Sequence, residues 1–246
     1  MTPKDYNLLL QCIGWNSRTW AVPIRKILNE TAVLKRNNLH VLELGAGRVS
    51  TLGALFFRNT NQVKISYFDE STRSLVAGRV ALLSEKNNST YVKELVQASI
   101  LDLHGVYDVI IMKSVLGGVF RNSQPKQNVN DFLKEIAAKH LSDNGVLITI
   151  DNGLPLYACL IDRFGARSEH WRYFLPKDFS GSAMQSSFGL FGAFSFKTRL
   201  GRFGELLEDL THLVDTFLFK VFDKSPTVIA SVYVKNPTIS EPDQTK

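Results

Sequence analysis

The sequence predicts an α/β fold with a doubly wound, mostly parallel sheet and helices on both faces. Short apolar, β-branched segments alternate with segments of helical spacing, which is the pattern of successive βαβ units. The strand-like segments are apolar on both faces, as in parallel sheets that helices cover. A chain of 246 residues, 44% of them hydrophobic, is long enough to bury one sizeable core in a single domain.

The N-terminal segment is predicted to be helical. Residues 6–30 show mostly helical spacing, and we expect Pro23 to open the second of two helical segments, since proline fits a first turn. Residues 1–36 are therefore assigned to a helical cap that precedes the core at residues 37–235. Residues 236–246 are polar and are expected to form a flexible tail.

The core alternates between predicted strands and helices. The predicted strands are HVLEL at 40–44, VKISYFD at 63–69, YVKELVQASI at 91–100, YDVIIMK at 107–113, VLITID at 146–151 and TVIASVYVK at 227–235. The predicted helices lie at 49–59, at 71–87 with Ser71 as N-cap, at 128–145 with Gly145 as the stop, and at 204–222.

Aromatic residues accumulate after the fifth predicted strand. We expect residues 188–196 to form a buried sixth strand and a lid. The alternative is contact with a membrane or a lipid-linked sugar, aided by Lys197, Arg199 and Arg202.

Charge and cysteine content limit the partners and the cellular compartment that the sequence predicts. The net charge of +6 favours acidic partners, but the basic residues are mostly scattered. Cys12 and Cys159 are far apart and predict neither a disulfide framework nor a zinc site. With no evident secretory signal and no long apolar run, we expect a cytoplasmic protein, and a peripheral position at the inner membrane face is the alternative.

The segment ELGAG at 43–47 indicates the ligand, because it lies where a first strand turns into a first helix. A dinucleotide loop would have glycine where Ser50 stands, and no Gly-Lys-Ser/Thr follows as in a P-loop. Glu43 would repel a pyrophosphate and attract an ammonium. S-adenosylmethionine carries an ammonium and a sulfonium, and Asp69, with Glu70 beside it, is placed to accept its ribose hydroxyls.

The same segment resembles the E/D-x-G-x-G motif of class I S-adenosylmethionine-dependent methyltransferases, and the resemblance covers residues 40–235. It implies a Rossmann-like sheet of seven strands whose last strand is antiparallel, with S-adenosylmethionine as cofactor. It implies that Glu43 orients the ammonium group, usually through water, and that Asp69 binds the ribose. It further implies a close backbone approach to the methionine part at Gly45, Ala46 and Gly47.

Two further loops complete the predicted cofactor site. Ser99 stands where the family often has an acid at the adenine amino group, so a hydroxyl or backbone contact is expected there. Ile100 would pack on the adenine face, while Lys113 and Ser114 follow the fourth strand at the mouth of the site.

A narrower resemblance concerns the substrate. Several segments resemble bacterial methyltransferases often associated with surface-polysaccharide biosynthesis: KSVLGGVFRN at 113–122, HWRYFLPKDF at 170–179, FGLFGAF at 188–194 and ASVYVK at 230–235. This implies a small-molecule or sugar-containing substrate, with a lipid-linked substrate as a variant.

Three residues are candidates for catalysis. Asp151 ends the fifth strand and could accept a hydroxyl proton, or it could be a cap or turn residue in the sequence DNG. His170 could be a base or a substrate partner, or a half-exposed strand residue. Lys113 could contact an acidic substrate group, or it could be a charge at a strand end. No metal site is predicted, since no His and acid pair recurs at ligand spacing.

The leading function is methyl transfer to a small-molecule or sugar hydroxyl. The alternatives are an RNA methyltransferase, a non-catalytic scaffold that binds S-adenosylmethionine, and a nicotinamide-dependent oxidoreductase. A nucleic-acid partner is not expected, because the fourth strand ends in MKSV and lacks the Asn/Asp-Pro-Pro-aromatic signature of amine methylation.

Overall fold

The structure is a computed structural model of the chain. The residues that it describes are 3–13, 17–46, 50–53, 62–67, 70–87, 92–121, 128–154, 171–189, 197–219 and 226–235.

A seven-stranded sheet organises the described residues, in the order β3-β2-β1-β4-β5-β7-β6. Strands β1 to β5 pair in parallel, whereas β7 runs antiparallel to both β5 and β6. The strands are β1 (Val41–Leu44), β2 (Val63–Tyr67), β3 (Val92–Gln97), β4 (Tyr107–Lys113), β5 (Leu141–Asn152), β6 (Met184–Phe188) and β7 (Val228–Val234). This confirms the predicted doubly wound sheet and its antiparallel last strand. The order reverses between β1 and β4, the place where ligands bind in open α/β sheets.

Helices cover both faces of this sheet. They are α1 (Pro3–Ile13), α2 (Ser17–Glu30), α3 (Glu70–Asn87), α4 (Leu116–Val119), α5 (Val129–His140) and α6 (Lys197–Leu218), with 3₁₀ turns at Ala32–Lys35 and Pro176–Phe179. Two apolar clusters result. Strand β4 shows the division, since Val109 and Ile111 pack with α1, α2 and α3, while Ile110 and Met112 pack with α4 and α5.

Three predicted boundaries were wrong. Pro23 lies inside α2 instead of opening it. Interior proline costs a helix about 3 kcal/mol, and here the buried face formed with Trp20 and Ile24 holds the helix together. Helix α3 begins at Glu70, so Ser71 lies within its first turn rather than at its cap.

The helix predicted to stop at Gly145 ends at His140, because β5 already begins at Leu141. Leu141 pairs with Tyr107, and the regular register resumes at Val146 opposite Val109. The intervening residues form a bulge in which Asn144 has a φ of 60°. A turn signal inside a strand was therefore mistaken for a helix end.

The aromatic segment also differs from its prediction. Strand β6 ends at Phe188, which is partly buried, so the sixth strand precedes most of the predicted stretch. Residues 190–196 and the tail at 236–246 lie outside the described residues. The helix predicted at 204–222 is confirmed as far as Leu218 as part of α6, which kinks at Gly201. Of the helices that the structure describes, none has the length and hydropathy needed to cross a bilayer.

Candidate functional site

Glu43 lies at the carboxyl end of β1 and is almost fully buried, with 1% of its surface exposed. The Ser50 hydroxyl donates to Oε1 over 2.5 Å, and the Gly53 amide donates to Oε2 over 2.8 Å. Burial raises the pKa of Glu43, while the hydrogen bonds from Ser50 and Gly53 oppose that shift. The carboxylate thus ties the end of β1 to the chain beyond the glycine loop. Ser50, whose presence argued against a dinucleotide loop, is one of its two partners.

The glycine loop is fixed from the opposite side by β2. The Gly45 amide donates to Ser66 Oγ over 2.8 Å, and the Ala46 amide donates to the Ser66 carbonyl over 3.1 Å. Gly45 has a φ of +64°, and a Cβ at this position would lie 2.7 Å from Val115 Cγ2. Backbone conformation and steric contact both require glycine here. Gly47 lies outside the described residues.

Lys113 ends β4 beneath this loop and is 4% exposed. Its Nζ lies 4.9 Å from the centroid of the Trp20 ring, so α2 closes this side of the site. Burial lowers the pKa of Lys113 to about 8, and the carboxylates of Glu43 and Asp151 oppose the shift. Lys113 is therefore part of a buried charge cluster with Glu43 and Asp151.

Asp151 is also fully buried, with an exposed fraction of 0%. Its Oδ1 accepts a hydrogen bond from the Leu116 amide over 3.2 Å, at the start of α4. Burial raises the pKa of Asp151 to about 7, against the opposing effects of the backbone amides at Leu116 and Gly117 and of Lys113. This geometry corresponds to the cap interpretation, because the carboxylate contacts the chain and presents no surface to a substrate.

Ser114 follows Lys113 in the chain and has a left-handed backbone with a φ of 54°. Its amide donates to the Ile150 carbonyl over 2.8 Å. Its hydroxyl oxygen is buried and has no hydrogen-bond partner among the described residues. A strained residue with an unsatisfied polar atom is costly and is characteristic of ligand sites.

The loop between β3 and β4 holds the predicted adenine residues. Ser99 Oγ accepts a hydrogen bond from the Leu101 amide over 3.2 Å, and Ser99 and Asp102 line a cavity of about 390 Å³. Ile100 is 8% exposed and belongs to the apolar cluster that contains Leu44. The cavity lies next to the residues assigned to adenine.

Sequence reasoning missed Trp171 as part of this edge. A Cβ on Gly117 would lie 2.3 Å from Trp171 Cε2, and the Arg172 amide donates to the Gly117 carbonyl over 2.9 Å. The indole ring of Trp171 therefore packs against the two glycines after Leu116. That pair of glycines was the sequence feature from which a close contact at this edge could have been predicted.

The carboxyl edges of β1, β4 and β5 thus bring together much of the predicted site: Glu43, Gly45, Ala46, Lys113, Ser114 and Asp151. Asp69 and His170 lie outside the described residues, and Glu70 opens α3. Their predicted roles remain predictions.

The buried Asp151 predicts a pH dependence of stability. Because its pKa is raised in the folded state, the fold retains a proton that the unfolded chain releases, so stability falls as pH rises from about 4 to about 7. We expect Asp151→Asn to remove a slope of up to about 1.4 kcal/mol per pH unit. Urea unfolding at stepped pH measures this. Asp143→Asn, an exposed residue of β5, is the matched control, and equal slopes in both variants would contradict the assignment.

Comparisons with known proteins agree with this architecture. No family model and no curated protein matches the chain. Coclaurine N-methyltransferase, in complex with N-methylheliamine and SAH, is 14% identical over 86% of this chain and 71% of its own, with a TM-score of 0.52. Magnesium protoporphyrin IX methyltransferase from Synechocystis PCC 6803, with bound SAH, is 13% identical over 85% of this chain and 80% of its own, with a TM-score of 0.51.

A third solved structure, geranyl diphosphate C-methyltransferase from Streptomyces coelicolor A3(2), is 10% identical over 86% of this chain and 77% of its own, with a TM-score of 0.51. It holds Mg²⁺, geranyl diphosphate and SAH. The fold is that of the class I methyltransferases. Its neighbours act on chemically unlike molecules, so the methyltransferase fold by itself does not indicate the acceptor.

Proposed function

We propose that this chain is an S-adenosylmethionine-dependent methyltransferase that acts on a small-molecule acceptor. The observation that carries the proposal is the glycine loop at the switch point of the sheet, held on one side by Glu43 and on the other by Ser66. A site with a fixed acidic residue beside an open backbone suits a ligand whose end is an amino acid with a cationic centre.

The donor set fits the cofactor's methionine end. Glu43 and Asp151 are buried acidic groups that act on Lys113, and an added positive charge beside them would favour their ionised forms. Ser114 offers a hydroxyl that has no partner among the described residues. The backbone at Gly45 would hold the methionine part, and the residues that would hold the nucleoside part are Asp69, Glu70, Ser99 and Ile100. The bound cofactor supplies an electrophilic methyl group on a sulfonium sulfur.

In this proposal the described residues contribute to the rate by orienting the acceptor more than by transferring a proton. Asp151 fixes the start of α4 through the Leu116 amide, and α4 carries the glycines that meet Trp171. This arrangement orders the loop at which an acceptor would approach, and orientation supplies much of the rate in such displacements. If the acceptor is a hydroxyl, a base must take its proton, and His170 is the proposed candidate because Asp151 is buried.

Within this function, the proposed acceptor is the hydroxyl of a sugar, as in a surface-polysaccharide precursor. The support is the sequence resemblance of residues 113–122 and 170–179. In the structure these two segments meet through Gly117 and Trp171. A screen of nucleotide sugars with methyl-labelled cofactor tests this choice. Labelling of RNA in place of every sugar would redirect the proposal to the nucleic-acid alternative.

The cofactor is tested by calorimetric titration of the whole chain with S-adenosylhomocysteine beside NAD. We expect micromolar binding of S-adenosylhomocysteine and no binding of NAD. Stabilisation gives a second measurement, since a ligand at 100 times its dissociation constant adds about 2.7 kcal/mol to stability. Binding of NAD alone would support an oxidoreductase, and binding of S-adenosylhomocysteine without turnover on any acceptor would support a scaffold.

A further inference from the structure

Helix α6 carries a row of large apolar side chains that face solvent. The row, here named the α6 stripe, comprises Phe203, Leu206, Leu210, Leu213 and Phe217, whose exposed fractions are 61%, 63%, 53%, 54% and 69%. The opposite side of the helix packs on the molecule. Gly204 and Asp215 are buried there, and Asp209 pairs with Arg18 of α2.

We propose that the α6 stripe is a self-association surface on which α6 of a second copy of the chain packs antiparallel. Successive members of the stripe are separated by 3, 4, 3 and 4 residues, the spacing of a coiled-coil seam. From Phe203 to Leu213 the gaps of 3, 4 and 3 are the same in both directions. Such a row can meet its own copy across a twofold axis, where both chains use the same patch.

The area of the stripe is suited to a dimer. Five side chains, each more than half exposed, present roughly 600 Å² of apolar surface per copy. The largest apolar patch of a typical monomer is about 300–600 Å². Standard interfaces bury about 800 Å² per partner, including a polar rim around the apolar centre. The stripe therefore supplies the centre of an interface of standard size.

An anionic membrane is the other occupant that an apolar helix face suggests, and charge argues against it. Helices that lie on membranes carry Lys and Arg on their polar face. Between Phe203 and Phe217 the charged residues of α6 are all acidic, namely Glu205, Glu208, Asp209 and Asp215. The basic residues of α6 precede the stripe at its N-terminal end. A second copy of the chain is therefore the occupant that we favour.

The first test is the mass of the full chain in solution, by light scattering after gel filtration over a series of concentrations. We expect the wild type to be a dimer and Leu206→Glu/Leu213→Glu to be a monomer with unchanged circular dichroism. Leu75→Glu, at a 44% exposed leucine of α3, is the matched control and should remain a dimer. A wild type that stays monomeric at every concentration, or a double variant that stays dimeric, would overturn the proposal.

The second test is the direction of the helices, read by disulfide cross-linking in a Cys159→Ser background. Cys12 is buried, and burial raises the pKa of its thiol to about 11, so it will react slowly. In an antiparallel pair with the twofold axis midway between Phe203 and Leu213, Leu206 lies opposite Leu210 of the second copy, whereas two copies of Leu210 are about 6 Å apart along the axis in addition to the distance between the helices. We expect a mixture of Leu206→Cys and Leu210→Cys to cross-link on oxidation, and neither variant to cross-link alone. Cross-linking of each variant with its own copy would show a parallel pair.

A vesicle assay distinguishes the remaining occupant. We expect the wild type not to float with phosphatidylglycerol vesicles at physiological salt. Flotation that is lost in Leu206→Glu/Leu213→Glu and kept in Leu75→Glu would assign the stripe to membrane binding and overturn the dimer. Neither outcome depends on methyl transfer, so these tests of the α6 stripe are independent of the tests of the proposed function.

Discussion

Replacing Glu43 with alanine should abolish detectable binding of S-adenosylhomocysteine while the chain remains folded. The substitution removes the acceptor of the Ser50 hydroxyl and of the Gly53 amide, so the glycine loop loses its attachment to the chain that follows it. Leaving buried donors unpaired costs about 1–3 kcal/mol. That loss is small beside the roughly 5–15 kcal/mol that stabilises a domain. Calorimetry gives the affinity, and urea unfolding gives the stability.

Glu43→Gln separates the charge of this side chain from its hydrogen bonds. An amide can accept from Gly53 and donate to Ser50, so the loop keeps its geometry and loses only the negative charge. We expect binding between that of the wild type and that of the alanine variant. An equal loss of affinity in both variants would show that Glu43 contributes to binding through its negative charge alone. Wild-type affinity in Glu43→Gln would show that Glu43 acts only by holding the loop in place. Unchanged affinity in Glu43→Ala would contradict the site assignment.

The local part of the site was predictable from the sequence because its signals are local. An acid, two glycines and the end of an apolar strand lie within five consecutive residues, and the strand places them at the sheet edge without help from distant parts of the chain. The partners of the acid were harder to recognise. Ser50 and Gly53 contact Glu43 because the chain turns back, and a missing third glycine was read only as a departure from another motif.

The buried state of Lys113 and Asp151 was not predictable in the same way. A charged residue at a strand end normally reaches solvent, and the sequence left open whether Lys113 contacts a ligand and whether Asp151 acts as a base. Here Trp20 approaches Lys113 from a helix more than 90 residues earlier, and α4 folds over Asp151. The burial of these two side chains depends on tertiary packing, and the sequences of β4 and β5 contain no pattern that predicts it.

The errors in the fold share one physical origin. Pro23 and Gly145 are strong breakers of local structure, and each was assigned to the end of an element. In the structure Pro23 lies inside α2, and Gly145 lies inside β5 within a bulge. Packing of the apolar face and pairing with neighbouring strands outweigh the local preference. The alternation of strands and helices was predictable because it depends on many apolar residues at once.

Gly45→Ala should be the second severe substitution, and it should act on both stability and binding. A side chain at a φ of +64° costs about 1–2 kcal/mol, and the new Cβ would lie 2.7 Å from Val115 Cγ2. Relief of that contact must move either Val115 or the loop that the Gly45 amide fixes to Ser66. We expect the affinity for S-adenosylhomocysteine to fall by about 100-fold, which corresponds to about 2.7 kcal/mol. Calorimetry and urea unfolding measure the two effects.

The two causes can be separated, because only one of them involves Val115. In Gly45→Ala/Val115→Ala the steric contact disappears while the left-handed backbone remains, so recovery of binding in the double variant measures the steric share. Gly78→Ala is the matched control, since no atom lies within 4 Å of its added Cβ inside α3. That substitution should stabilise the chain by about 0.5–1 kcal/mol and leave binding unchanged. If Gly45→Ala, like Gly78→Ala, kept wild-type affinity without loss of stability, the glycine loop would not be the cofactor-binding loop, because its conformation would tolerate any small residue.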